Sequence, residues 1–107
     1  MTESAPTDRL AELRAEMDEA NEVLLTALNA RGTIALAIAR EKQKRKTPQV
    51  RDLPREQRVL DAMTAMNEGP FTGEDVRSVF QAAMDASSRL QAKTYGLPIG
   101  DPAAPTA

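Results

Sequence analysis

Among the 107 residues there is no cysteine and no histidine. Thiol nucleophiles, imidazole-based triads, disulfide frameworks and Cys- or His-built zinc sites are therefore excluded. Carboxylates, amines, guanidiniums, amides and hydroxyls remain, and the informative ones interrupt an apolar helical stripe, because a charge on a packing face is costly unless it meets its opposite. Leu10, Met17 and Leu24 recur every seven residues, and the next position in the series is Arg31. Lys42 follows eleven residues later; eleven residues make almost three whole turns, so it shares that face about 16 Å further along. The same step from Val76 and Phe80 leads to Ser87 and Gln91, which are themselves one turn apart. Asp52, Arg55 and Glu56 gather at a third place, the start of a short helix, where Glu56 suits the positive end of the helix dipole and Arg55 does not.

Singly, each of these residues has an ordinary reading. Arg31 can snorkel or pair with a carboxylate, and Lys42 lies in a basic run that ends a helix. Ser87 and Gln91 can satisfy each other, and Glu56 is a fitting first-turn carboxylate. Taken together they describe a pocket for an anion. Nucleic acid is a poor fit, since the net charge is −2 and no aromatic residue interleaves the basic run.

Helices must position these groups. Between Pro6 and Pro48 the chain is rich in Ala, Leu, Glu, Arg and Lys with one glycine, Gly32, and its apolar residues step by three and four. This predicts a helix over residues 8–44, roughly 55 Å long, capped by Asp8 or, next best, Thr7. Gly32 within it costs up to about 1 kcal/mol relative to alanine. A second apolar set, Val23, Leu25, Leu28 and Leu36, lies off the main stripe. Two apolar faces need more cover than the shorter segments offer, which predicts a dimer. A loop at 46–54 leads into a short helix beginning at about Pro54 and ended by Gly69-Pro70. Thr72 with Asp75 resembles a capping box opening a third helix, which runs to about Tyr95. Met63, Met66 and Met84 are expected as core filler. No uninterrupted apolar run approaches the ~20 residues of a membrane span, and residues 1–8 lack the pattern of a secretion signal. The expectation is an all-α, cytoplasmic protein of three helices (long, short, medium), with a flexible segment at 1–7 and a disordered Pro/Ala-rich tail or linker at 96–107.

With these residues in view, the sequence resembles the AroQ-type chorismate mutases over about Leu10 to Gln91. The resemblance rests on Leu13-Arg14 and Met17-Asp18 with Leu24-Leu25 downstream, on Ala30-Arg31 and on the Lys42 helix end. It continues through Val50 to Leu60, Asn67 to Phe71, and Ser87 with Leu90-Gln91. It implies that residues 8–95 form a mutase domain in an intertwined homodimer whose sites borrow from both chains. On that likeness Arg31 and Arg55 clamp substrate carboxylates with help from Ser87, and Arg14 comes from the partner. Lys42 and Gln91 donate to the ether oxygen, Glu56 holds the ring hydroxyl, and Asp52 contributes near it through backbone. The implied reaction, chorismate to prephenate, needs neither cofactor nor metal. Two other implications stand beside it. One is an isochorismate–pyruvate lyase of the same fold. The other is a regulatory domain of, or partner to, a DAHP synthase, suggested by the Asn67–Phe71 stretch and the tail.

Overall fold

Proline and glycine positions mark out three helices: α1 (Asp8–Lys44), α2 (Leu53–Met66) and α3 (Gly73–Tyr95). This computed structural model describes residues 8–45 and 50–97, and no strand occurs among them. Thr7, the 1–7 segment, residues 46–49 of the loop and residues 98–107 of the tail, on all of which the sequence carries expectations, lie outside the described residues.

Asp8 is the first helical residue of α1 rather than its cap. Its carboxylate still favours the positive end of the helix dipole, as Lys42 and Lys44 favour the other end. α2 starts one residue ahead of expectation, because Asp52 caps it: the backbone there is extended, and Oδ1 accepts from the Arg55 amide at 3.1 Å. Pro54 then falls within the first turn, where a missing N–H loses no intrahelical bond. The α2–α3 connection is closed by Asn67, whose Nδ2 donates to the Phe71 carbonyl at 2.7 Å while Oδ1 accepts from the Gly69 amide at 3.0 Å. Thr72 caps α3 as expected, its Oγ1 accepting from the Asp75 amide at 3.1 Å. Gly96 ends α3 at φ +65°, a left-handed conformation that suits a residue without Cβ.

The chain divides into two units, 1–31 and 32–107. In the first, Leu10, Leu13, Met17, Val23, Leu24, Leu25 and Leu28 are each 40–70% exposed. In the second, Ala35, Ala39, Val50, Leu60 and Met84 form the buried apolar core. α2 packs along α3, and the two approach closely at Gly73, where an added Cβ would sit 3.0 Å from the Thr64 methyl. Asp61 and Arg77 pair across the same seam at 2.6 Å. Of the three methionines expected in the core, Met84 is buried, Met63 is half-buried and Met66 is 71% exposed. Met66 lies six residues beyond the buried Leu60, which turns it roughly 120° off the packing stripe.

α1 is more apolar than its uninterrupted runs suggest: an 18-residue stretch has a mean hydropathy of 1.3, enough by length and composition for a membrane span. Residues 23–39 nonetheless carry Asn29 and Arg31, and an arginine at mid-span costs about 2.5–3.5 kcal/mol. Hydropathy alone therefore does not make α1 a span.

The α3 cap gives a direct stability test. Thr72→Ala removes the acceptor for the Asp75 amide and should lower stability by about 1 kcal/mol, read as a drop in the urea midpoint that Thr72→Ser does not reproduce.

Candidate functional site

The first turn of α2 turns a carboxylate inward. Glu56 is only 8% exposed, a costly place for an anion unless donors surround it. Arg51, just ahead of the helix, supplies them: its Nε donates to Glu56 Oε2 at 2.9 Å and its Nη2 donates to Oε1. That same Nη2 lies 2.9 Å from Asp85 Oδ1 on α3. Gln81 Nε2 completes the cluster, donating to Asp85 Oδ1 at 3.1 Å and to Glu56 Oε1 at 3.4 Å. The hydrogen bond from Arg51 holds the Glu56 carboxyl below its ordinary range, overcoming the desolvation that pushes it up. Asp85 is lowered first by the Gln81 bond, against desolvation, and then by Arg51. The Arg51 guanidinium is held more firmly protonated, chiefly by its bond to Glu56.

Ten residues along α3 from Gln81, a second buried polar group faces α1. Gln91 is 6% exposed, and its Nε2 donates to the Ala35 carbonyl at 2.5 Å. Met84, Ser88 and Gln91, the buried residues of α3, are spaced by four and three, so the helix presents one inner face with the Glu56 cluster near one end and the Ala35 contact near the other. Lys42 stands seven residues beyond Ala35, nearly the same azimuth on α1 and about 10 Å further along. It is half-buried, and its Nζ donates to the carbonyl of the buried Val50 at 2.8 Å. An open groove of about 440 Å³ runs beside it. Among the described residues the groove is lined by the end of α1 and the residue that follows it: Ile34, Ala37, Ile38, Glu41, Lys42 and Arg45.

Within the second unit Glu56 and Gln91 are buried and Lys42 is half-buried; Lys42 and Gln91 are positions where a polar residue interrupts an apolar stripe, and Glu56 belongs to the cluster at the start of α2. Asp52 and Arg55 are exposed and linked to each other by the cap bond. Ser87 is half-buried; the buried serine is its neighbour Ser88, whose Oγ donates to the Met84 carbonyl at 3.0 Å. Arg14 is exposed and Arg31 half-buried, both in the first unit. Arg51, Gln81 and Asp85 are site residues that sequence reasoning misses. The available signal is weak: an acid one turn after an amide on α3, and a basic residue five positions ahead of Glu56.

Comparison with known proteins places the chain in a family. The model of the family described as chorismate mutase type II matches residues 13–92. Two solved structures of chorismate mutase from Thermus thermophilus are similar to the chain. Form II is 34% identical with a TM-score of 0.76, covering 79% of this chain and 96% of that one. Form I is 35% identical with a TM-score of 0.71, covering 74% and 98%. No curated protein matches the sequence.

The depressed Glu56 carboxyl fixes a sign for the pH dependence of stability. Its contribution is complete above the ordinary glutamate value and is lost as pH falls through the lower folded value. The stability difference between the parent and Glu56→Gln, measured by urea unfolding, should therefore shrink between about pH 7 and about pH 3. A constant difference would show that Glu56 is not an ionised partner of Arg51.

Proposed function

Because the chain belongs to the chorismate mutase type II family, we propose that it rearranges chorismate to prephenate in a homodimer whose sites are completed by both chains. As a family member it is an enzyme, an isomerase, and an all-α one. The observation that carries the reading is the family match across residues 13–92, which takes in every candidate site residue.

The reaction is a unimolecular Claisen rearrangement, so the protein has no group to transfer. Its task is to hold a dianion in the compact conformer that brings the terminal carbons together, the orientation component of catalysis. In our reading Arg31 and Arg55, with Ser87, bind the carboxylates, and Arg14 does so from the partner chain. Glu56 takes the ring hydroxyl, with Asp52 close by. The C–O bond breaks ahead of C–C bond formation, so negative charge gathers on the ether oxygen. Lys42 and Gln91 are donors that serve this charge. Each donates one hydrogen to a backbone carbonyl, that of Val50 and that of Ala35, and the ether oxygen would draw on the same nitrogens. Donors held in place act more strongly on the transition state than on the ground state.

The dimer is supported by the first unit's exposed leucines and by the groove beside Lys42, whose described lining comes from the end of α1 and the residue after it. Most helix stability in proteins comes from burying one face, and a second copy supplies the cover. The reading extends to the cytoplasm as location. Association with a DAHP synthase is a lesser part of it, supported by Met66 and Phe71, exposed at 71% and 67% around the Asn67–Phe71 turn.

Purified protein should consume chorismate, followed as loss of its ultraviolet absorbance, and release prephenate. Lys42→Ala should cut kcat by about 10²–10³ with little change in KM; no turnover by the parent overturns the function, and a normal kcat removes Lys42 from the ether oxygen.

Subunit mixing tests the shared site. Arg14→Ala and Arg31→Ala homodimers should each be nearly inactive, and heterodimers of the two should regain one intact site. Verified exchange without recovery would place both arginines in the same pocket and refute the dimeric arrangement.

A further inference from the structure

The Glu56 carboxylate receives three donors, and their placement on its two oxygens is uneven. An ionised carboxylate offers about four lone-pair positions, two on each oxygen. Oε1 receives Arg51 Nη2 and Gln81 Nε2, so both of its positions are taken. Among the described residues, Oε2 receives Arg51 Nε alone. One acceptor position therefore remains, and it lies on Oε2. Gln81 creates this asymmetry, while the Arg51 guanidinium gives one donor to each oxygen and is itself held by Asp85 on α3.

We propose that Arg51 is a positioning residue for the reaction: anchored to Asp85, it grips both oxygens of Glu56 and leaves one lone pair of Oε2 to receive the substrate's ring hydroxyl. The proposal rests on the assignment of Glu56 to that hydroxyl and adds the residue that aims it. Arg51 touches no substrate in this scheme and acts through Glu56. Its planar fork is what the task requires. Two nitrogens must meet two carboxylate oxygens side by side while one of them also reaches Asp85; a lysine ammonium carries the same charge as a point and cannot hold both oxygens in one plane. Without the fork the carboxylate can rotate, and its free lone pair no longer has a fixed direction.

The test uses Arg51→Lys, which keeps the charge and loses the fork, assayed with chorismate and with an analogue lacking the ring hydroxyl. For chorismate KM should rise about tenfold with kcat within about twofold, the pattern of a contact made equally in ground and transition states. For the deoxy analogue, parent and variant should be equal within about twofold. Equal losses on both substrates would overturn the proposal and make Arg51 a strut between α2 and α3. Asp85→Ala, which removes the α3 anchor of Arg51 together with one acceptor of Gln81, should raise KM for chorismate in the same direction by a smaller factor. It provides the same comparison if Arg51→Lys fails to fold, and no substrate-dependent difference there would also overturn the proposal. Glu56→Gln separates the two layers of the argument. A loss confined to chorismate upholds the Glu56 assignment whatever Arg51 does, whereas an equal loss on both substrates, or none, overturns that assignment and the proposal with it.

Discussion

The site depends on a buried carboxylate. At 8% exposure Glu56 would be driven toward its neutral form by desolvation alone, and the Arg51 bonds reverse that tendency. The reversal has structural consequences. Arg51 must stay beside the start of α2, which the Asp52 cap and Pro54 fix; Gln81 and Asp85 must face α2, which aligns α3. Close approach at Gly73 and the Thr72 cap bring α3 alongside α2 in that register. Removing one partner of such a cluster leaves a charge in a poorly solvated place, so its cost exceeds the value of any single bond.

How much of this is legible in the sequence follows from the range of the forces involved. Helix ends are local, and Lys44, Tyr95 and the Thr72 cap are each read from a few neighbouring residues. Even at the start of α2 the difference is one residue, because Pro54 suits the first helical position while Asp52 caps from two positions ahead of it. Lys42 and Gln91 are legible because a polar residue on an apolar stripe breaks a periodic pattern, and Glu56 because it gathers with Asp52 and Arg55 at the start of a helix. Arg51 and Asp85 break no pattern. They are 34 positions apart in sequence, and only the packing of α2 on α3 brings them together. Charged residues are common on solvated helix faces, so nothing local separates these two from the rest. Met66 shows the converse limit. Its type suits a core, but its azimuth on α2 turns it away.

The exposed leucines of the first unit reflect the same distinction on a larger scale. Their three-four spacing predicts the helix, and the second apolar set predicts that one chain is not enough. What completes the cover is outside any single-chain pattern. A buried polar amide such as Gln91, bonded to a backbone carbonyl of α1, specifies how α3 meets that helix. Leucine contacts alone, being non-directional, would tolerate neighbouring registers.

These features suit a reaction that asks for arrangement and no covalent participation. A helix interface held only by apolar contacts gives stability but little directional control, while the Glu56 and Gln91 bonds fix particular atoms to particular positions. Their cost is met in folding, before a substrate arrives, and groups held in this way need little reorganisation during a reaction. Arg51 separates the two roles within one cluster. Its charge compensates the buried carboxylate and its planar fork meets both carboxylate oxygens, so charge and geometry can be altered separately at this one position. The absence of cysteine and histidine fits the same logic, because a site that works by holding a dianion in shape draws on guanidiniums, amides and carboxylates, the groups this sequence places on its inner faces.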